Sequence, residues 1–345
     1  MGGQAKPKFA MYWAASCGGC EISTLNIGDK ILAVDAAFDV AFWPCAADFK
    51  VKDVEGYPDG YIDLCLFNGA IRNSENEEMA HLLRRKSKVL VAFGSCASEG
   101  CIPGLSNLTT AEATFRAVYT DCPSSDNPKG VLPRPVTRVP EGEIHIPVFY
   151  ERVKSLDQVV PVDYIMPGCP PESEQIAAVM EAIIAGAALP PPGGAIIGAG
   201  SVAVCEECPR QKNVKQIERF YRPHEITPDP DICLLEQGIV CMGIATRSGC
   251  GALCPRVNMR CEGCYGPLDG VVDQGANMVA AIASVVQAGG GPLAGIDEAE
   301  LAHQIGAVMD TLVDPAGTFY RFNMAHSLLA RARTNGGKAE KGAAR

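Results

Sequence analysis

Sixteen cysteines in a chain of 345 residues constrain this sequence more than any other feature. A chain of this length buries a sizeable core by itself, so it does not need a disulfide framework. The first residues, MGGQAKPKF, do not have the pattern of a secretory signal. We therefore expect a cytoplasmic protein in which most of the cysteines ligate a metal or a cluster.

Charge and hydropathy exclude further classes of protein. The net charge is −10 and no stripe of Lys and Arg is present, which argues against nucleic acid as a partner. The longest apolar stretches, residues 176–192 and 278–290, are short and are interrupted by Glu181 and Gln287. We therefore expect no membrane span.

Apolar runs alternate with helical stretches in the first half of the chain. Nearly continuous apolar runs are typical of parallel strands that are covered on both faces, and we predict strands in residues 8–15, 38–45, 62–71, 88–97 and 162–169. Helical patterns occupy residues 25–37, 74–87 and 170–189. Together these elements predict a doubly wound α/β sheet. The polar, Pro- and Gly-rich segment 99–158 looks like an insertion outside the core.

The second half begins after the sequence LPPPGG, residues 189–194, which is typical of a linker. Regular periodicity fades over residues 195–266, except for an amphipathic helix that we predict at 214–222. Two more helices are expected at 274–287 and 297–314, and the polar end, 334–345, is expected to be disordered. We expect domains at 1–192 and 193–325, followed by a helix end and tail at 326–345.

Four cysteines follow the predicted ends of three strands. Cys17 and Cys20 follow the first strand, Cys96 the fourth and Cys169 the fifth. Open α/β sheets bind ligands beyond the carboxyl ends of their strands, so these thiols should converge. Four convergent thiolates suit a [4Fe–4S] cluster. A thioredoxin-like dithiol at the C-x2-C and a four-cysteine zinc site remain alternatives.

Eight more cysteines crowd into about sixty residues of the second half, which is the number needed for two sites of four. They are Cys205, Cys208, Cys233, Cys241, Cys250, Cys254, Cys261 and Cys264. Proline directly follows two of them, as in ferredoxin motifs, although the ferredoxin spacing itself is not matched. Two zinc sites are the alternative. Because few apolar residues lie between these cysteines, we expect the bound group to organise this region.

The remaining four cysteines have no predicted role as ligands. Cys45 and Cys65 lie in predicted strands, where a buried thiol is the ordinary expectation, and Cys122 has no partner in the insertion. Cys101 lies five residues after Cys96 and could replace it. We favour Cys96 because it lies at the strand end.

No motif for nucleotide binding or nucleophilic catalysis accompanies these cysteines. No G-x-G-x-x-G follows a strand, no P-loop is present and the few histidines show no paired metal spacing. Twelve candidate thiolate ligands without such a motif indicate that this chain moves electrons and that catalysis takes place on another subunit.

The motifs CGGCE, GSCA and PGCPP after the first, fourth and fifth strands are similar to those of the small subunit of [NiFe] hydrogenases. The small subunit of respiratory complex I shares only this first pattern, whereas the cysteine-rich half extends the likeness to the hydrogenases. The sequence resembles most the cytoplasmic F420-non-reducing, or methyl-viologen-reducing, type. The fold that we expect is therefore a flavodoxin-like doubly wound parallel sheet followed by an irregular cysteine-rich iron–sulfur domain with helices.

The resemblance assigns the twelve cysteines to three [4Fe–4S] clusters. It implies a proximal site of Cys17, Cys20, Cys96 and Cys169, a medial site of Cys250, Cys254, Cys261 and Cys264, and a distal site of Cys205, Cys208, Cys233 and Cys241. Membrane-linked relatives have histidine where this chain has Cys205, and proline where it has Cys254. Both differences favour three all-cysteine clusters, with lower potentials.

The resemblance also implies partners and a reaction. Electrons would pass between the Ni–Fe site of a large subunit, where 2 H⁺ + 2 e⁻ ⇌ H₂ takes place, and an acceptor. That acceptor would be a [2Fe–2S]-type electron-transfer subunit and the heterodisulfide reductase complex of methanogenesis. A complex I-like or sulfur-metabolising iron–sulfur subunit and a zinc-organised structural protein are the alternatives.

Glu21, directly after the C-x2-C motif, is the candidate catalytic residue. In the family this glutamate lies at the interface with the large subunit, near the proton route. A carboxylate in the first turn of a helix is also favourable without any catalytic role.

Overall fold

The computed structural model describes residues 5–214, 216–287 and 297–331. Its strands are β1 Lys8–Trp13, β2 Asp39–Phe42, β3 Ile62–Asn68, β4 Ile71–Asn73, β5 Ser87–Phe93, β6 Val136–Val139, β7 Gly142–His145, β8 Phe149–Lys154, β9 Tyr164–Met166 and β10 Ala195–Ile196. Its α-helices are α1 Gly19–Leu25, α2 Ile31–Ala37, α3 Val51–Gly56, α4 Ser74–Lys86, α5 Ser95–Glu99, α6 Cys101–Gly104, α7 Ala111–Tyr119, α8 Ser173–Ile184, α9 Val204–Glu207, α10 Leu253–Arg256, α11 Gln274–Ala283, α12 Glu298–Met309 and α13 Pro315–Phe319. Single 3₁₀ turns lie at Gly28–Lys30, Leu105–Leu108, Leu234–Gln237, Met242–Ala245 and Leu328–Arg331.

Six of these strands form one parallel sheet in the order β10–β9–β5–β3–β1–β2. The first strand lies between the second and third, and the later strands follow on one side. This is the flavodoxin-like order, which has its switch point at β1 and β3. The predicted fold class and the five predicted strands are confirmed, and β10 adds a sixth strand that the sequence did not indicate.

The strands that carry the cysteines end level with one another. Trp13 of β1 pairs with Asn68 of β3, Asn68 pairs with Phe93 of β5, and Phe93 pairs with Met166 of β9. The segments that follow β1, β5 and β9 therefore leave the same edge of the sheet at the same level.

Apolar layers cover both faces of this sheet, as the continuous apolar runs of its strands require. On one face Leu83 of α4 packs among residues that include Phe42 and Phe67. On the other face Ile176 of α8 packs among residues that include Met11 and Phe93. The sheet is thus a rigid base for the segments at its carboxyl edge.

The insertion at 99–158 is partly in the core, which corrects the prediction that it lies outside. The side chains of Cys101 and Leu156 are fully buried. The Asn107 side-chain amide donates a hydrogen bond to the Val153 carbonyl oxygen and accepts one from the Val153 backbone N–H. The middle of the insertion, with the antiparallel β6–β7 hairpin, is largely exposed.

The second half has little regular structure until α11. The predicted helix at 214–222 is wrong: Ile217 forms an isolated parallel bridge with Val286, and its N–H donates to the Val285 carbonyl oxygen. Ile217 and Phe220 are both buried. Their three-residue spacing, which resembles that of a helix, instead places two buried side chains on an extended segment. The helices predicted at 274–287 and 297–314 are present as α11 and α12.

The predicted tail at 334–345 lies outside the described residues. Within the part of the chain that is described, no helix combines the length and the apolar character needed to cross a bilayer.

Candidate functional site

The proximal site forms where three strands of the sheet end. Cys20 lies in the first turn of α1, and the charges of Cys17, Cys96 and Cys169 all act on its thiol. Cys20 and Cys96 are buried, Cys169 is half-buried and Cys17 is exposed. The structure therefore brings together the four thiols that the sequence predicted to converge.

Tight turns hold these thiols close to the backbone. The Gly94 N–H donates to the Met166 carbonyl oxygen at 2.8 Å, and the Ser95 N–H donates to the Gly168 carbonyl oxygen at 2.7 Å. Gly94 has φ +81° and ψ 162°, a region that is almost exclusive to glycine. A Cβ atom at this position would lie 2.4 Å from Cys20 Sγ, so only glycine leaves room for that thiol.

The distal site is a cavity in the irregular second half. Cys205, Cys208, Cys233 and Cys241 line it together. Burial, together with the charges of the other three thiols, raises the pKa of Cys205 to about 12. A thiolate in this setting needs a compensating cation.

A buried arginine lies beside the distal thiols. Arg210 lines the same cavity and its side chain is almost fully buried. Its guanidinium donates to the carbonyl oxygens of Pro255, Asp229 and Ile232 at 3.0, 2.7 and 2.9 Å. The positive charge is thus fixed near the thiols and ties together the loops that carry them. Sequence analysis did not find this residue.

The medial site lies between the other two. The charges of Cys250 and Cys254 act on Cys264, and burial raises the pKa of Cys264 to about 12. Burial also raises the pKa of Cys261 well above its usual range, with a further contribution from the charge of Cys264. Cys254 is exposed, whereas Cys261 is buried.

Single cysteines connect the three sites in space. Cys264 of the medial site is acted on by the charge of Cys169 of the proximal site. Cys261 of the medial site donates its backbone N–H to Cys241 Sγ of the distal site at 3.3 Å. The medial thiols are therefore next to the proximal thiols on one side and next to the distal thiols on the other.

The four other cysteines differ in their surroundings. Cys65 is fully buried in β3, as predicted, whereas Cys45 is exposed beyond the end of β2, which corrects the prediction of a buried thiol. The Cys122 thiol lies 3.1 Å from the Ser124 hydroxyl in the insertion. Cys101 is placed at the proximal site, where its thiol donates a hydrogen bond to Cys169 Sγ at 3.5 Å. Cys96, which the sequence favoured over Cys101 as the ligand, lies there too, so the structure places both cysteines at this site.

Glu21 is buried between the sheet edge and the proximal thiols. Its Oε2 accepts a hydrogen bond from the Trp43 indole N–H, whereas Oε1 is buried and makes no hydrogen bond with a described residue. Burial raises the pKa of Glu21, and the Trp43 hydrogen bond acts in the opposite direction. The Glu21 carboxyl group is therefore a buried group whose protonated form is favoured more than in an exposed glutamate, and it does not serve as an exposed helix-end charge.

The donor sets fit iron–sulfur clusters. Each of the three sites offers at least four thiols. Burial raises the pKa of Cys20 at the proximal site, of Cys205 and Cys241 at the distal site and of all four medial thiols. The proximal site leaves room for Cys20 Sγ only because residue 94 lacks a Cβ. Thiolates are the ligands of such clusters, and the positive iron ions offset the cost of burying them. No group of three or more His, Cys, Asp or Glu among residues 5–214, 216–287 and 297–331 is placed to hold a single metal ion.

Comparison with known proteins gives a consistent family. Residues 17–183 match the family model of the NADH ubiquinone oxidoreductase 20 kDa subunit. The iron–sulfur subunit of the F420-non-reducing hydrogenase of Archaeoglobus profundus is 42% identical over 81% of this chain and 88% of its own length. A subunit of the F420-non-reducing hydrogenase of Methanothermobacter marburgensis is 36% identical over 94% of this chain and 96% of its own length. Among solved structures, a chain of an NAD⁺-reducing [NiFe]-hydrogenase in the H₂-reduced state is 28% identical, with a TM-score of 0.45 over 54% of this chain and 96% of its own.

Proposed function

The chain belongs to the family of F420-non-reducing hydrogenase iron–sulfur subunits, and from this premise we propose that it carries electrons through three [4Fe–4S] clusters. As a hydrogenase small subunit, it is part of an oxidoreductase. The electrons would pass between the Ni–Fe site of a large subunit and an acceptor subunit. The proposed cellular site is the cytoplasm.

The observation that carries the proposal is the continuity of the twelve thiols. Cys264 is next to Cys169, and Cys261 is next to Cys241, so no site is isolated from the others. Unrelated structural metal sites would not need neighbouring thiols that connect one site to the next. Clusters supply one-electron carriers when bound at these thiols, and the residues of the chain hold the carriers in order and keep water from them.

The exposed surface at the proximal site supports docking of the large subunit there. Cys17 is exposed, and the apolar side chains of Trp13, Ile22 and Leu25 near it are 43%, 58% and 52% exposed. Exposed apolar residues grouped at a site of function are typical of an interaction surface. The electron exit would then be at the distal site.

The acceptor follows from the family resemblance. We propose that a [2Fe–2S]-type electron-transfer subunit receives the electrons and passes them to the heterodisulfide reductase complex. Cys205 and Cys254 support all-cysteine ligation at the distal and medial sites, because no histidine or proline stands at these two positions.

Glu21→Gln is expected to lower H₂ turnover while leaving iron content unchanged. The amide oxygen of glutamine can still accept the Trp43 hydrogen bond, so the local geometry is kept, but the side chain can no longer exchange a proton. Loss of a positioned proton-transfer group costs on the order of 10²-fold in rate. The measurement is H₂-dependent viologen reduction by the complex, together with iron analysis.

Asp29→Asn is the matched control for this variant, because it removes one carboxylate from an exposed position close in sequence. It should leave both turnover and iron content unchanged. Full H₂ oxidation by Glu21→Gln would remove Glu21 from the proton route.

Anaerobic purification of the chain with its bound partners tests the proposed function directly. Beyond the iron and sulfide of the partner subunits, we expect about twelve iron and as many sulfide ions per chain. We also expect broad visible absorbance that dithionite bleaches, and a nickel-containing partner with H₂-dependent viologen reduction. Zinc in place of iron would indicate a structural protein. Iron and sulfide without nickel or H₂ activity would indicate an iron–sulfur subunit of another oxidoreductase.

A further inference from the structure

The proximal site contains five thiols, although a four-iron cluster has four ligand positions. The fifth belongs to Cys101, whose side chain is fully buried and whose Sγ lies 3.5 Å from Cys169 Sγ. Cys101 also packs with Cys96 and Phe322. The thiol therefore faces the ligand set and not the solvent.

The backbone holds Cys101 at this position. Its N–H donates to the Phe322 carbonyl oxygen at 2.9 Å, across to the second half of the chain. Gly100, which precedes it, is confined by Ala325: a Cβ at residue 100 would lie 2.4 Å from the Ala325 Cβ. Contacts on both sides thus prevent α6 from moving away from the site.

We propose that Cys101 is a reserve ligand of the proximal site, able to take over the iron that Cys169 binds. The proposal rests on the proposed function, since it requires a cluster at this site. In the exchange, the bond from iron to Cys169 Sγ breaks and a bond from the same iron to Cys101 Sγ forms. The Cys101 proton passes to Cys169 Sγ along their hydrogen bond, so no electron is gained or lost and no other reactant is needed.

Cys169 is the ligand that Cys101 replaces because the two sulfur atoms are already in contact. A thiol within 3.5 Å of a ligand sulfur needs only a small displacement to reach the same metal atom. The thiol of Cys96 also interacts with that of Cys101. Cys169 is the ligand named in the proposal because its Sγ accepts the hydrogen bond from Cys101 at 3.5 Å.

Iron analysis of paired variants, purified with their partners and counted as the iron beyond that of the partner subunits, tests the reserve role. Cys101→Ala and Cys169→Ala should each keep about twelve iron per chain, because four thiols remain in place. The double variant Cys101→Ala/Cys169→Ala should fall to about eight, the content of the other two sites. Cys169→Ala/Cys65→Ala is the matched control, because Cys65 is equally buried but lies in β3. It should keep about twelve.

A drop to about eight iron in Cys169→Ala alone would overturn the reserve role, and a drop in Cys101→Ala alone would make Cys101 an obligatory ligand instead. Wild-type protein without iron would overturn the proposed function itself, which is a different result.

A second measurement covers the case in which Cys169→Ala does not fold. In Cys169→Ser, the electron paramagnetic resonance spectrum of the reduced proximal cluster should match the wild type, because Cys101 supplies a thiolate. That spectrum should change when Cys101→Ala is added. Identical spectra with and without Cys101 would contradict the proposal.

Discussion

Gly94→Ala is expected to eliminate the proximal cluster and to reduce H₂-dependent viologen reduction to near background. The added Cβ would lie 2.4 Å from Cys20 Sγ, with the Gly168 carbonyl oxygen only 3.4 Å away on another side. The backbone at φ +81° and ψ 162° adds a strain of about 1–3 kcal/mol for any residue other than glycine. Cys20 is fixed in α1, and the turn at Gly94 is held by its hydrogen bond to the Met166 carbonyl oxygen. The clash can therefore be relieved only by moving a cysteine ligand.

Iron per chain should fall by about one third in this variant, since the medial and distal sites are not touched. Gly60→Ala is the matched control: Gly60 also has a positive φ, of +69°, but a Cβ there would meet only the flexible Lys88 side chain, at 3.8 Å. The control should lose some stability and keep all of its iron. Full iron content in Gly94→Ala would show that the Cys20 thiol is not a ligand in the geometry described.

The sheet and the convergence of the proximal thiols could be predicted because both follow from local patterns. Continuous apolar runs identify strands buried on both faces, and parallel strands put their carboxyl ends at one edge. The structure agrees, because Trp13, Asn68, Phe93 and Met166 pair in one row across β1, β3, β5 and β9 and the strand ends therefore lie at one level.

Features that depend on contacts distant in sequence could not be predicted in the same way. Ile217 and Phe220 have helical spacing, yet both are buried in an extended segment. The Ile217 N–H donates to the Val285 carbonyl oxygen, whereas the Phe220 N–H donates to the Thr311 hydroxyl. Arg210 has no motif, because its guanidinium is bound by carbonyl groups, which any residue can supply. That Cys101 lies beside Cys96 at the proximal site also required the structure, since the backbone partner of Cys101 is Phe322, more than two hundred residues later.

The second half of the chain depends on its thiols in a way that the sheet does not. Between β10 and α11 the only α-helices in the described residues are α9 and α10, of four residues each. The apolar cluster of this half includes Cys261 and packs against the thiols of Cys208, Cys233, Cys241 and Cys250. Raised pKa values, as at Cys205 and Cys264, mean that deprotonated thiols are unfavourable there without a bound cation. Under the proposed function, binding of the clusters and folding of this region are therefore coupled.

Removal of iron with an oxidant and a chelator is accordingly expected to unfold the cysteine-rich region and leave the sheet folded. Hydrogen exchange measured by mass spectrometry should show at least about a tenfold loss of protection in residues 199–266, while β1, β3 and β5 keep theirs. The sheet is the internal control, because its two apolar layers form without any proposed ligand from the second half. The Cys65→Ala variant, which lacks a buried thiol remote from the sites, should behave as the wild type does in both states.

Unchanged protection of residues 199–266 after complete iron removal would mean that packing around Met242 and Met278 suffices to hold the region. Unfolding of the whole chain would mean instead that the contact between the Ser95 hydroxyl and the Cys264 carbonyl oxygen couples the two halves into one cooperative unit.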